Sequence, residues 1–161
     1  MPKITSFLWY DTQAEEAAEL YTSVFPNSKI TDVARYGEAG PGTPGSVMTV
    51  AFELDGHPFV ALNGGPQHFA FNESISFQID CGDQDEVDHY WNALSDDGEE
   101  GPCGWLKDCF GLSWQVVPRR LIELLTDPDQ GRAQRAMSAM LEMKKIEIAK
   151  LEEAAGAPAV A

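Results

Sequence analysis

The feature that most constrains this chain is that it begins twice. Under a shift of 70 residues, Ser6 meets Ser76, Phe7 meets Phe77 and Glu16 meets Glu86. Glu15 meets Asp85, Leu20 meets Tyr90, Tyr21 meets Trp91 and Val24 meets Leu94. Identities are few, yet apolar and acidic positions agree in kind over about 20 positions, which reads as an internal duplication. The competing reading is two unrelated strand-helix starts. In the first copy, residues 4–10 are β-branched and aromatic with no breaker, a strand. Asp11 or Thr12 can cap a helix whose apolar stripe is Ala14, Ala17, Ala18, Tyr21 and Val24. Pro26-Asn27 ends it, and a strand over 29–36, a Gly/Pro loop over 37–46 and a hairpin around Asp55-Gly56 follow. The second copy shows a strand over 74–81, a helix over 83–94, and short strands over 105–108 and 112–117.

The expected fold class is therefore α+β: paired βαβββ modules, about 4–66 and 73–118, in a single domain spanning 1–161. After Pro118 a short helix over 121–125 and a long helical stretch over 129–155 form a C-terminal extension, with 156–161 as a frayed tail. Met137, Met140, Leu141, Ile148 and Leu151 share one face of that stretch, and Met143 and Ile146 lie on another. Two apolar patches suit two surfaces, the chain's own core and a second subunit, and equally a long helix that wraps its own core alone.

Charge narrows the partners. Lys and Arg number 11 against 26 Asp and Glu, a formal charge of −15. Nucleic acid needs clustered basic residues, so it is excluded as a partner, and so is an anionic membrane surface. Apolar runs fall far short of a membrane span, and the N-terminus lacks a signal peptide's apolar core, which together give a cytoplasmic expectation. Three cysteines, Cys81, Cys103 and Cys109, suit reduced thiols, two of them read as buried hydrophobes. Gly40-Pro41-Gly42-Thr43-Pro44-Gly45 matches G-x-G-x-x-G in letters only: two prolines donate no N–H, and a strand follows instead of a helix.

Alternation along residues 74–81 turns Ile75, Phe77, Ile79 and Cys81 to one side and Ser74, Ser76, Gln78 and Asp80 to the other. Ser113 and Gln115 alternate with Trp114 and Val116, while Phe59, Ala61 and Asn63 share a face. A cleft lined by Ser6, Leu8, Asn63, Ser76, Gln78, Ser113 and Gln115 is uncharged and suits a small, moderately polar organic ligand. His57, His68 and His89 share no metal-ligand spacing, and Glu99 and Glu100 read as solvated turn charges. Cys103 has only Lys107 as a nearby cation, so a structural role is the better reading than a reactive thiol.

Several phrases carry a family resemblance: residues 4–11, ITSFLWYD; 35–42, RYGEAGPG; 45–50, GSVMTV; 61–66, ALNGGP; 103–108, CGWLKD; and 110–118, FGLSWQVVP. Together they resemble the PhnB-like group of the vicinal oxygen chelate superfamily, over residues 4 to about 151. The resemblance implies paired βαβββ modules around a cleft, usually in a homodimer. Members often carry the label 3-demethylubiquinone-9 3-methyltransferase. In the superfamily's enzymes, His, Glu or Gln on the first and last strands of each module hold a divalent ion. Carried over, those positions offer Ser6, Ser76, Gln115 and Ala61 or Asn63. Neutral hydroxyls and amides are poor ligands for a dication, so neither metal nor another cofactor is expected. The expected function is binding of a small organic molecule without metal. The alternatives are a metal-dependent lyase, isomerase or dioxygenase of the superfamily, and a methyltransferase, which is disfavoured because no alternating β-α series is present.

Overall fold

The computed structural model describes residues 3–156. The chain divides into two compact units, Met1–Phe69 and Ala70–Ala161. The first unit runs β1 (Ser6–Tyr10), α1 (Ala14–Val24), β2 (Lys29–Arg35), β3 (Val47–Leu54) and β4 (His57–Asn63). Its sheet has the order β1-β4-β3-β2, with β1 parallel to β4 and the other pairs antiparallel. The expected apolar stripe of α1 is buried in full, and Tyr21 lies over Phe52 on β3. The cap differs from expectation. Neither Asp11 nor Thr12 serves; the Asn63 side-chain oxygen accepts from the Ala14 N–H at 2.8 Å. The parallel pairing sets Tyr10 beside Asn63, so the amide at the end of β4 reaches the helix start that its own flank leaves open.

The second unit repeats the wiring as β5 (Ser76–Cys81), α2 (Gln84–Ser95), β6 (Glu99–Glu100), β7 (Trp105–Lys107) and β8 (Ser113–Pro118). The sheet order β5-β8-β7-β6 matches the first, again with the outer first strand parallel to the last. Two copies of one βαβββ topology make the fold α+β. β5 starts at Ser76, two residues later than expected, because the Ser74 N–H turns to the Asn72 side chain at 2.9 Å. At the start of α2, Asp83 accepts from the Glu86 N–H at 2.9 Å and Glu86 accepts from the Gly82 N–H at 2.7 Å, a reciprocal cap. The Glu99-Glu100 pair is exposed as expected, but it lies on a strand and not in a turn: it forms β6 against Lys107 and Leu106. Glu100 also takes the Trp91 indole N–H at 3.0 Å.

The C-terminal extension corrects a further expectation. After α3 (Arg119–Leu125), the stretch read as one long helix is two, α4 (Gln130–Leu141) and α5 (Ile148–Gly156). The break has a structural cause. The carbonyls of Met143 and Lys144 leave the helix to accept from the N–H groups of Cys103 at 2.8 Å and Gly104 at 2.7 Å. Met143 and Ile146 in the break are buried with Val117, Leu121, Leu124, Ala136, Leu151 and Ala155. Met137 and Leu141 are exposed. The apolar residues therefore do not form two faces of one rod. Of the frayed-tail expectation at 156–161, residues 157–161 lie outside the described residues. No helix among the described residues is long and apolar enough to cross a membrane.

Only one cysteine is a buried hydrophobe: Cys81 is buried, Cys103 half-buried and Cys109 exposed. Burial, helped by the nearby Glu86 and Asp80 carboxylates, pushes the Cys81 thiol up to about 12. In the folded protein at pH 8, a disulfide-exchange reagent is expected to label Cys109 fastest and leave Cys81 untouched until the chain unfolds. The raised value also has a sign for stability. Below the thiol's ordinary range the contribution is intact. As pH climbs from about 9 toward 12 the unfolded chain sheds the proton while the folded one keeps it, so stability falls. Peptide mapping after labelling and urea titrations across that range check both outcomes.

Candidate functional site

The strand phase of the two copies decides which side chains share a face. In β1, Leu8 and Tyr10 are buried while Phe7 and Trp9 are exposed. In β5, Ile79 and Cys81 are buried while Gln78 and Asp80 are exposed. The buried positions therefore correspond at a shift of 71, not 70: Leu8 with Ile79 and Tyr10 with Cys81. Pairing agrees, because Leu8 lies beside Ala61 and Ile79 beside Val116, both fully buried. Both helices nonetheless start 70 residues apart, at Ala14 and Gln84. The connection from strand to helix is thus one residue longer in the first copy. A one-residue slip exchanges the two faces of a strand, so the matches Ser6 with Ser76 and Phe7 with Phe77 are not structural equivalents.

Two expected site residues, Ser6 and Leu8, change face as a result, and they join Asn63. Ser6, Leu8 and Asn63 stand on the covered side of the first sheet, in phase with Phe59 and Ala61. The Ser6 hydroxyl is 2.9 Å from Nε2 of His57, on the next strand. Both ends of the Asn63 amide are engaged: the oxygen on Ala14 N–H at 2.8 Å and the nitrogen donating to Val47 C=O at 3.2 Å. The uncovered side carries Phe7 and Trp9. The Trp9 ring meets Phe69 edge-on at 5.4 Å and donates its indole N–H to Gly65 C=O at 3.0 Å.

The other four expected residues do share a face. Register places Ser76 beside Ser113 and Gln78 beside Gln115, with Trp105 opposite Gln115 and Lys107 opposite Ser113. The opposite face holds Ile79, Leu106, Trp114 and Val116, all buried. On the polar face the Gln115 amide donates to Ser76 Oγ at 2.9 Å. Gln78 donates to Asp80 at 3.0 Å. Lys107 forms an ion pair with Glu73, which holds the ammonium above its ordinary value and the carboxyl below its own. A small cavity of about 120 Å³ opens here, bordered by Glu73, Glu99, Trp105, Lys107 and Ser113. Larger hollows lie elsewhere. One of about 620 Å³ lies beside Trp91; of its lining side chains Lys145 is paired with Asp88 and Lys150 with Glu147. Another, of about 550 Å³ in the first unit, is bordered by Arg35, Asp11 and Glu15 and by the loop 37–46 that wraps the Tyr36 ring.

Sequence reasoning missed Asp108. It is 3% exposed, and its carboxylate accepts from Phe110 N–H at 2.9 Å, Leu112 N–H at 3.1 Å and Trp114 Nε1 at 2.9 Å. The available signal was an Asp three residues before Gly111 in a tight connection, beside a Trp whose indole needs an acceptor. It also missed the contact of His57 with Ser6, which follows from the phase of β4. Among the described residues, no group of three or more His, Cys, Asp or Glu side chains is placed to hold a metal ion.

Comparison with known proteins agrees with this architecture. The family model for 3-demethylubiquinone-9 3-methyltransferase matches residues 2–117. A PhnB protein from Bacillus cereus is 34% identical, with a TM-score of 0.66 over 73% of this chain and 99% of its own. Protein PA1353 from Pseudomonas aeruginosa shares the fold at 16% identity, with a TM-score of 0.62 over 73% of this chain and 98% of its own. The fosfomycin resistance protein FosX from Listeria monocytogenes also shares it, at 12% identity and a TM-score of 0.50 over 73% of this chain and 93% of its own. No curated protein matches the chain. With the doubled βαβββ topology, these matches show that the chain belongs to the 3-demethylubiquinone-9 3-methyltransferase family, as a PhnB-like member of the vicinal oxygen chelate superfamily.

Proposed function

We propose that this protein binds a small organic molecule on the polar face of its second sheet, without a metal ion. The observation that carries the reading is the placement of Ser76, Gln78, Ser113 and Gln115 on one face of two paired strands. Hydroxyls and amides in a row read a guest through hydrogen bonds, and the half-buried Trp105 beside them supplies apolar surface. The donor set argues against a dication. At the positions where the superfamily's enzymes hold their ion, the second unit offers a hydroxyl and an amide, and the first a hydroxyl already on His57. Neither set neutralises a doubly charged ion. The family reading also carries a homodimer, which sedimentation of the purified protein tests.

The ligand reading is tested by titrating small neutral organic compounds into isotope-labelled protein. Gln115→Leu and Ser76→Phe are expected to weaken a bound compound by about tenfold or more. Their melting temperatures should stay within about 4 °C of the wild type. Variants that bind as the wild type does overturn the site. Stoichiometric manganese, zinc or nickel held through Ser76 and Gln115 would replace this reading with a metal-dependent enzyme. A rise in melting temperature with S-adenosylmethionine would restore the methyltransferase, because a ligand preferring the folded state must stabilise it.

A further inference from the structure

The cavity at β7 carries an unsatisfied group. Ser113 is fully buried, and its hydroxyl has no hydrogen-bond partner. Buried hydroxyls without partners are uncommon and cost stability, so each calls for an explanation. Ser113 is one of the residues that line the 120 Å³ cavity. The cavity's charged groups are two carboxylates, Glu73 and Glu99, and one ammonium, Lys107. Lys107 is already paired with Glu73, and Glu99 stands opposite it across the β6–β7 ladder. The wall therefore holds one negative charge in excess. An anionic guest is repelled, whereas an uncharged guest with an O–H group finds spare acceptors. The half-buried Trp105 offers a flat apolar surface. At about 120 Å³ the cavity is smaller than the roughly 150 Å³ that encloses benzene, so one six-membered ring is the most it can seat, with part of the ring in its mouth.

We propose that this cavity is a subsite for an uncharged, hydroxyl-bearing ring, whose hydroxyl exchanges a hydrogen bond with Ser113 Oγ while the ring lies on Trp105. The subsite rests on the small-molecule reading above and specifies the guest's chemistry.

The test titrates four ring probes into the full chain, read on the Trp105 indole N–H by NMR: phenol, cyclohexanol, toluene and benzoate. Phenol is expected to bind about tenfold more tightly than toluene, which lacks the hydroxyl, and than benzoate, which brings a charge. Cyclohexanol separates an aliphatic from an aromatic source of the same hydroxyl; binding equal to phenol's makes the ring's flatness irrelevant and leaves the hydroxyl rule standing. Ser113→Ala is expected to lose about tenfold for phenol and nothing for toluene, with a melting temperature equal to or above that of the wild type. Ser113→Thr, which keeps the hydroxyl, is the second variant if Ala perturbs the fold, and it should keep the preference for phenol over toluene. Benzoate binding as tightly as phenol overturns the proposal, as does a Ser113→Ala variant that holds phenol unchanged. If those preferences fail while some probe is still lost in Gln115→Leu, the subsite falls and the binding face stands. If no probe perturbs the second sheet at all, both fall.

Discussion

Asp108→Ala is expected to lower the unfolding free energy by about 3 kcal/mol or more, the largest effect of any single side-chain truncation proposed for this chain. The carboxylate is 3% exposed and accepts from two backbone N–H groups and the Trp114 indole. Alanine removes the carboxylate acceptor from all three donors, at about 1–3 kcal/mol each before water or relaxation offsets part of it. Asp108→Asn should cost less, because one amide oxygen still serves the two backbone donors that share Oδ1. The amide nitrogen then faces the Trp114 indole as donor against donor. Urea titrations followed by tryptophan fluorescence, with slopes compared, rank the two variants. A loss below about 1 kcal/mol for the alanine would mean that the connection from β7 to β8 holds its shape without the carboxylate.

Gly104→Ala should cost about 2–5 kcal/mol. Gly104 has φ +84°, which an L-residue adopts at a cost of about 1–2 kcal/mol. An added Cβ would also stand 2.8 Å from the Val116 carbonyl and 3.1 Å from the Ile146 side chain. The carbonyl belongs to the sheet and cannot yield cheaply, so overpacking adds about 1–3 kcal/mol. Gly56→Ala is the control: φ is +83°, but no atom lies within 4 Å of the new Cβ, so only the backbone component remains. The Gly104 N–H also holds the Lys144 carbonyl at 2.7 Å. Relief of the clash therefore loosens the segment between α4 and α5. Limited proteolysis should cut near Lys144 and Lys145 faster in this variant than in Gly56→Ala. Equal stability of the two alanine variants would show that the neighbours give way freely.

The topology was legible because the information that sets it is local. The buried stripe of α1, the Asp55-Gly56 turn and the alternation in residues 76–81 each follow from a few adjacent residues, and the repeat ties them together. What was not legible depends on contacts far apart in the chain. The break between α4 and α5 is made by N–H groups of Cys103 and Gly104, some 40 residues earlier. Helical spacing alone continued through it because Met143 and Ile146 are apolar for another reason: they are buried in the break itself. Two of the seven candidate residues, Ser6 and Leu8, came from one register choice. Ser6 and Phe7 match Ser76 and Phe77 by letter, and the gap-free shift that keeps both helices in step puts the strands one residue out. Asn63 is a separate case: alternation within β4 puts it in phase with Phe59 and Ala61 as read, but its amide is taken by Ala14 N–H and Val47 C=O, contacts that no local pattern announces. The second-unit residues were read correctly as sharing a face, since that inference used alternation within single strands and needed no alignment between copies.

The extra residue between β1 and α1 makes the doubled architecture chemically dissimilar. Aromatic rings look outward from one copy where amides and hydroxyls look outward from the other, though both are wired alike. A library that swaps side chains between numerically matched positions would drive Gln into a greasy interior at residue 8 and expose Leu at residue 78. Transplants counted one further along would keep both interiors dry. Ancestry can therefore be traced here through hidden residues, while the outward ones record how far the twins have diverged.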